Sequence, residues 1–388
     1  MFYVSKVSPA LFAFALLNLF LSLILKPIDK QLFLITLTFG FVGTTLLGAM
    51  YQIVPNSQNR RLPLPPISYI LSAIHFTSFI LFYFGVFKIA SGLLLFSWGA
   101  FFLHIFLGIK NWMPVTVKFL GVSAFYLFLA SLFLFLNLSF GLVPFQLAIH
   151  SLTVGAMLNA VYGVELAWIP MLLMDTLNVK KAKTLFWLKQ VSTLFLLISF
   201  YLLEYKAIAL ASFLELGVSL YFLYLIYSLF KNRRTPAPIP YVVKIFLIAF
   251  PFLPLGLLMG GFLASHPELI GKALNLHIDL LVYGFTAFTV FGGMSHLLPR
   301  IVWNWKIAPS KMSSLISINE LVEEKAFPKF LELSLLAFTT YLYLDFSFYP
   351  LNILSSLPYI FIVGFFVRLT FFQILKKLKE VKNESQKV

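Results

Sequence analysis

An all-α integral membrane fold of twelve transmembrane helices is what this sequence predicts, on three observations: its composition, a succession of apolar segments, and a recurring Gly–Gly–Pro spacing. Of 388 residues, 60% are hydrophobic and 11% charged, with a mean hydropathy of +0.93. Soluble domains carry roughly a quarter charged residues. One crossing takes roughly 20 apolar residues, so the chain has room for about a dozen and for no sizeable soluble catalytic module. The apolar segments fall at 9–25, 32–55, 67–87, 91–109, 117–137, 143–174, 185–203, 207–230, 241–263, 275–303, 328–348 and 351–375. The breaks between them carry charges and prolines, as at Asn56–Pro66, Lys180–Lys183, Lys231–Pro240 and Asn304–Pro328. None is long enough to join separate domains, so residues 1–388 read as a single membrane domain. The run Ala10–Leu25 follows one lysine and has no small-residue cleavage site, which predicts a retained first helix. Asn304–Pro328 mixes apolar and charged residues and reads equally as an interfacial helix or as a loop touching the membrane surface.

The formal charge of +15 would suggest nucleic acid in a soluble protein. Here it points instead to loops facing anionic lipid. If the twelve segments alternate in direction, only Lys26, Lys30, Lys88, Lys206 and Lys272 fall on one face. The remaining basic residues, Lys189 among them, fall on the face with both termini. The positive-inside rule then places both termini in the cytoplasm.

The Gly–Gly–Pro spacing, with seven and then six residues between, occurs at Gly40, Gly48 and Pro55, at Gly155, Gly163 and Pro170, and at Gly284, Gly292 and Pro299. Composition alone predicts roughly 0.05 such matches. The three fall on the second, sixth and tenth segments, all running in the same direction. The chain therefore reads as three four-helix units, approximately 1–110, 111–230 and 231–388, around a pseudo-threefold axis. The glycines let a neighbouring helix or a flat ligand approach the backbone, and the prolines end or kink the helices.

With no cysteine, the chain has no disulfide, thiolate metal site or covalent c-type haem. Any cofactor must be held by histidine, carboxylate or backbone. Of six histidines, His266 lies in an outer loop, and His75 and His104 each read as interior histidines with ordinary polar partners. His277 and His296 share the tenth segment but lie roughly 28 Å apart along a helix, too far to ligate one metal. His277 and His150 lie in the outer third of equivalent helices, seven and five residues before the first repeat glycine. They leave their helices in different relative directions, and either is a candidate metal or haem ligand or a structural polar contact. Glu165, Glu215 and Asp279 sit where ionisation is expensive, as candidate members of a proton path or as protonated, hydrogen-bonded groups.

The stretch His277-Ile278-Asp279-Leu280-Leu281-Val282-Tyr283-Gly284-Phe285, continuing through Gly292-Gly293-Met294-Ser295-His296-Leu297-Leu298-Pro299-Arg300, resembles the tenth helix of the haem–copper oxidase subunit I superfamily. The resemblance is closest to its C-type and short subunit-I-like members, and Gly40-Phe41 through Gly48-Ala49-Met50-Tyr51-Gln52-Ile53-Val54-Pro55 is similar to their second helix. It implies twelve helices in three arcs of four. In that family the tenth helix carries His-x-His, the first ligating the catalytic haem and the second the low-spin haem. Here the second position is Asp279, and the second helix, which supplies the other low-spin ligand, has no histidine. The copper ligands lie on the sixth and seventh helices, where this chain offers only His150, and one imidazole would hold copper weakly. The arginine pair that holds haem propionates has no counterpart in Asp345–Pro350.

Terminal oxidase activity is therefore not expected. The resemblance implies a membrane protein of respiratory or diatomic-gas metabolism, with a non-covalent b-type haem on His277. Its partners would be the lipid bilayer and subunits of a respiratory complex, without nucleic acid, in a prokaryotic plasma membrane. Two alternatives stay open: a cofactor-free assembly or structural partner of a respiratory complex, and a proton-coupled transporter.

Overall fold

The computed structural model describes residues 3–347 and 354–385, and all regular structure among them is helical. In chain order the helices are α1 (Ser8–Leu25), α2 (Lys30–Ser57), α3 (Ile67–Tyr83), α4 (Phe87–Gly108), α5 (Val115–Phe140) and α6 (Phe145–Leu173). They continue as α7 (Val179–Leu202), α8 (Tyr205–Lys231), α9 (Tyr241–Ser265), α10 (Ala273–Ile307), α11 (Phe327–Phe346) and α12 (Ser356–Asn383). Ten of these are long and apolar enough to cross a membrane; α3 is shorter, and α11 carries Lys329, Glu332 and Asp345. The expected end of the eleventh segment at 348 and start of the twelfth at 351 lie outside the described residues.

Local chemistry sets the boundaries. Asp29 caps α2, its carboxylate accepting the N–H groups of Gln31 and Leu32 at 2.9 Å, and Asn178 caps α7 by accepting from Lys181 at 3.1 Å. That cap starts α7 six residues before the apolar segment does, because Lys180, Lys181 and Lys183 form a polar first turn that hydropathy alone passes over. Gly141, at φ +66°, closes α5 in the left-handed conformation that a glycine adopts without strain.

The helices other than α2, α6 and α10 pack in chain order around the molecule, α1 meeting α3, α5 meeting α7 and α9 meeting α11, and α12 returns to α1, where Ser356 Oγ donates to the Leu23 carbonyl at 3.0 Å. Inside this ring stand α2, α6 and α10, whose apolar stretches are 83%, 72% and 61% buried, against 39–56% for the other spans. They meet around a cavity of about 80 Å³, and register decides what lines it. Thr45, Ala160 and Thr289 occupy one level, and Ala49, Val164 and Gly293 the next, with both sets equivalent in the Gly–Gly–Pro repeat.

The repeat glycines serve helix packing. A Cβ on Gly48 would meet Phe12 at 2.9 Å, on Gly163 the Cβ of Phe119 at 2.7 Å, and on Gly292 Phe246 at 2.6 Å. Those phenylalanines come from α1, α5 and α9, so each glycine-bearing helix is notched to receive the helix before it. A shared feature absent from the sequence reading is a π-helical segment in each: Thr36–Gly43, Ser151–Met157 and Asp279–Thr286. A threonine in each wide turn, Thr38, Thr153 or Thr286, donates to a carbonyl one turn back, at 2.6, 2.9 and 2.7 Å.

Asn304–Pro328 forms no interfacial helix. Past the end of α10 at Ile307 it is a chain of short turns, Lys311–Ser314, Ile318–Leu321 and Glu324–Ala326, packed against α10 and α12. Its Ile307, Ile316, Leu321 and Val322 are buried in protein and point inward, while Leu315 is exposed.

At Gly163 the obstructing atoms are Phe119 Cβ and, at 3.0 Å, the Thr116 carbonyl oxygen, none of which can swing aside. Gly163→Ala is expected to cost about 1–3 kcal/mol of stability through overpacking. Gly217→Ala, with nothing within 4 Å, should cost nothing. Thermal unfolding in detergent checks the difference.

Candidate functional site

His277 stands at the start of the wide turn of α10. Its Nδ1 lies 2.9 Å from the Gly256 carbonyl of α9. A carbonyl only accepts, so Nδ1 carries the proton and Nε2 is left with its lone pair. The ring rests against Gly260, where a Cβ would come within 2.7 Å of His277 Cε1. Two glycines of α9 thus position this imidazole, one by its carbonyl and one by its missing side chain. The sequence marks His277 but not Gly256 or Gly260, which lie outside the repeat spacing.

His150 on α6 donates through Nδ1 to the Gln146 carbonyl at 2.8 Å, and its ring stacks on Phe200 of α7 with centroids 3.9 Å apart. The sequence register sends the side chains of His150 and His277 in different directions, and no hydrogen bond among the described residues joins them. Among the described residues, no three histidine or carboxylate side chains gather as a metal-binding set.

Asp279 occupies the position where the resemblance implies a second haem ligand. It is instead engaged by Lys26 of α1, whose Nζ donates to its carboxylate oxygens at 3.0 and 3.2 Å. The same ammonium reaches Asp345 at 2.9 Å and Tyr341 Oη at 2.7 Å, both on α11, and Tyr341 donates to Asp279 at 2.6 Å. Tyr283 extends the network, hydrogen-bonding Ser22 at 2.8 Å and accepting at its carbonyl from Tyr359 at 2.6 Å. Lys26, read as a charge of the outer face, has only 8% of its side chain exposed. A low-spin haem does not fit this position: the potential ligand is a carboxylate, and its oxygens are taken.

Lys189, expected on the charged face that bears the termini, lies instead ten residues into α7, about 15 Å from the helix start. There it is fully buried against Glu215 of α8, with Nζ to oxygen distances of 2.8 and 3.0 Å. Ser192 and Thr193 each donate to Glu215 Oε1 at 2.9 Å, and Lys189 also donates to Thr193 at 2.7 Å. A hydropathy window cannot tell a lysine that reaches the surface along its stem from one that finds a carboxylate on the next helix.

Glu165 differs from the other two carboxylates. It is 1% exposed, lines the central cavity, and neither of its oxygens has a hydrogen-bond partner among the described residues. By repeat register its counterparts are Met50 and Met294, so one arm of the axis carries a carboxyl where the other two carry thioethers. No hydrogen bond among the described residues joins Glu165, Glu215 and Asp279; they sit in three separate environments.

His75 has partners on both ring nitrogens, whereas the buried His296 Nδ1 has none among the described residues. His75 accepts from Trp98 Nε1 at 3.2 Å and meets Thr44 Oγ1 at 2.7 Å. His296 packs on Trp168 with centroids 4.9 Å apart, and exposed His266 bonds the Phe262 carbonyl.

A helical fold with ten spans of this length and with ion pairs sealed inside it defines an integral membrane protein. No family model matches the chain. It is 53% identical over 369 residues to a protein of Aquifex aeolicus (strain VF5) named "Uncharacterized protein", covering 95% of this chain and 97% of that one. The chain belongs to the same family as that protein.

Removing one partner of a buried ion pair strands the other charge at a cost of about 3–5 kcal/mol, whereas replacing both is close to neutral. Lys189→Met is therefore expected to lower stability strongly, and the Lys189→Met, Glu215→Leu double variant to recover most of the loss. Unfolding midpoints of the two variants in detergent decide it.

Proposed function

We propose that this protein is a haem–copper oxidase subunit I-like membrane protein that holds one non-covalent b-type haem through His277. It would serve respiratory or diatomic-gas metabolism in a prokaryotic plasma membrane, with both termini in the cytoplasm. In this reading the twelve helices form three arcs of four, and α3 and α11 also cross the bilayer. The repeat-related helices α2, α6 and α10, grouped around one cavity with equivalent residues at equivalent depth, support that architecture.

The observation that carries the haem assignment is the fixed tautomer of His277, with Nδ1–H given to the Gly256 carbonyl and Nε2 free for a metal. When bound, the haem would supply reversible gas binding or one-electron transfer at its iron. The chain's own contribution is positional. The Gly256 carbonyl orients the imidazole, Gly260 leaves room for the ring, and the Lys26–Asp279–Tyr341–Asp345 network closes the second haem position. His150 can offer one nitrogen, which is too few donors for a copper centre, so oxygen reduction is not assigned. Glu165, lining the cavity without a partner, is the carboxyl best placed to exchange a proton with a small occupant.

A second reading, a cofactor-free structural or assembly partner of a respiratory complex, is favoured by that same network, which fills a cofactor position with protein. The two readings part in a visible spectrum. Protein purified after expression with ample haem is expected to show a Soret band at one haem per chain, lost in His277→Ala and diminished in Gly260→Val, which displaces the ring. A colourless, metal-free and folded protein would overturn the haem assignment.

A further inference from the structure

A second and larger cavity, about 430 Å³, opens at the end of α2 beside the N-terminal segment. Gln52 and Asn56 of α2 anchor that segment. Gln52 accepts the Ser5 N–H at 2.8 Å, and the Gln52 and Asn56 amides both donate to the Tyr3 carbonyl at 2.7 Å, fixing the segment over the helix end. Tyr51 of α2 and His104 of α4 line it within, their rings edge to face with centroids 5.8 Å apart. Lys6 and Arg61 stand at the rim, both exposed.

Each of the inner pair keeps one unpartnered polar atom. Tyr51 is 1% and His104 4% exposed, and neither Tyr51 Oη nor His104 Nδ1 has a hydrogen-bond partner among the described residues. His104 Nε2 meets the Pro63 carbonyl, which only accepts, so the proton sits on Nε2 and Nδ1 offers a lone pair. Native interiors rarely leave such groups unmatched. The rim is equally uncompensated. No carboxylate of the described residues pairs with Lys6 or Arg61, and residues 30–164 contain no Asp or Glu.

We propose that this cavity binds a phosphate ester carrying a free hydroxyl. Arg61 and Lys6 take the phosphate, the guanidinium matching two of its oxygens. Tyr51 Oη donates to a phosphoryl oxygen, and the ligand hydroxyl donates to His104 Nδ1. A phosphoglycerol lipid headgroup and a soluble phosphate ester share this chemistry, and the cavity's place at a helix end gives access to either. Sequence motifs do not mark the site, because its members come from the N-terminal segment, α2, the α2–α3 connection, α3 and α4.

The test is thermal unfolding of the full chain in a neutral detergent. sn-Glycerol 3-phosphate is titrated in one series and phosphatidylglycerol in mixed micelles in another, with glycerol and phosphatidylcholine as controls. A saturable rise in melting temperature with either phosphate, and not with the controls, is expected. A response to the lipid alone assigns a headgroup, a response to glycerol 3-phosphate alone assigns a soluble ligand, and a response to both leaves the shared chemistry standing. Tyr51→Phe and Arg61→Gln should each weaken the apparent affinity about tenfold, the loss of one charge-assisted hydrogen bond. Tyr51→Phe removes only an unpaired hydroxyl, so its ligand-free melting temperature should match the parent's and a folding defect cannot mimic the result. The proposal is overturned if neither phosphate stabilises the protein, if the controls stabilise it equally, or if both variants respond as the parent does.

Discussion

Close approach of each repeat helix to the helix before it is the constraint on which the rest of this molecule depends. Three helices can stand around one cavity, each backed by its own neighbour, only if each is thin where that neighbour presses, and Gly48, Gly163 and Gly292 supply that thinness against Phe12, Phe119 and Phe246. In a bilayer, where lipid tails are as apolar as leucine, such fit replaces the hydrophobic effect as the force between helices. The π segments belong to the same solution. Each widens its helix near the first repeat glycine and leaves a carbonyl that a threonine hydroxyl takes up.

Charge follows the opposite logic, since nothing in the lipid can compensate it. Lys189 with Glu215, and Lys26 with Asp279 and Asp345, resolve this by pairing across helices, with hydroxyls of Ser192, Thr193 and Tyr341 completing the shells. Such pairs add less to stability than their number suggests, because desolvation offsets much of the attraction. Their structural effect is to lock α7 to α8 and to tie α1, α10 and α11 together. Glu165 stands outside this scheme as a carboxyl in an apolar cavity.

These two themes shape the region around His277. The glycine packing of α9 against α10 orients its ring, while the Lys26 network takes up Asp279 two residues further on. The region therefore offers one oriented imidazole beside a closed polar network. The polar cavity at the far end of α2 depends on neither theme, being assembled from an N-terminal segment held by Gln52 and Asn56.

The sequence by itself determined the membrane class and marked the apolar segments and the Gly–Gly–Pro spacing, because hydropathy, length and spacing are local properties of a chain. It also marked His277, Asp279, Glu165 and Glu215 as groups whose placement in apolar segments needs a reason. Only the tertiary structure decided what that reason is. Lys189 and Glu215 lie 26 positions apart and Lys26 and Asp279 lie 253 apart, so no pattern within one helix could announce either pair. The same holds for Gly256 and Gly260, whose role is to make room for a side chain from another helix, and for Tyr51 and His104. Partnership in a bilayer is a property of neighbouring helices, and which helices become neighbours is settled by packing.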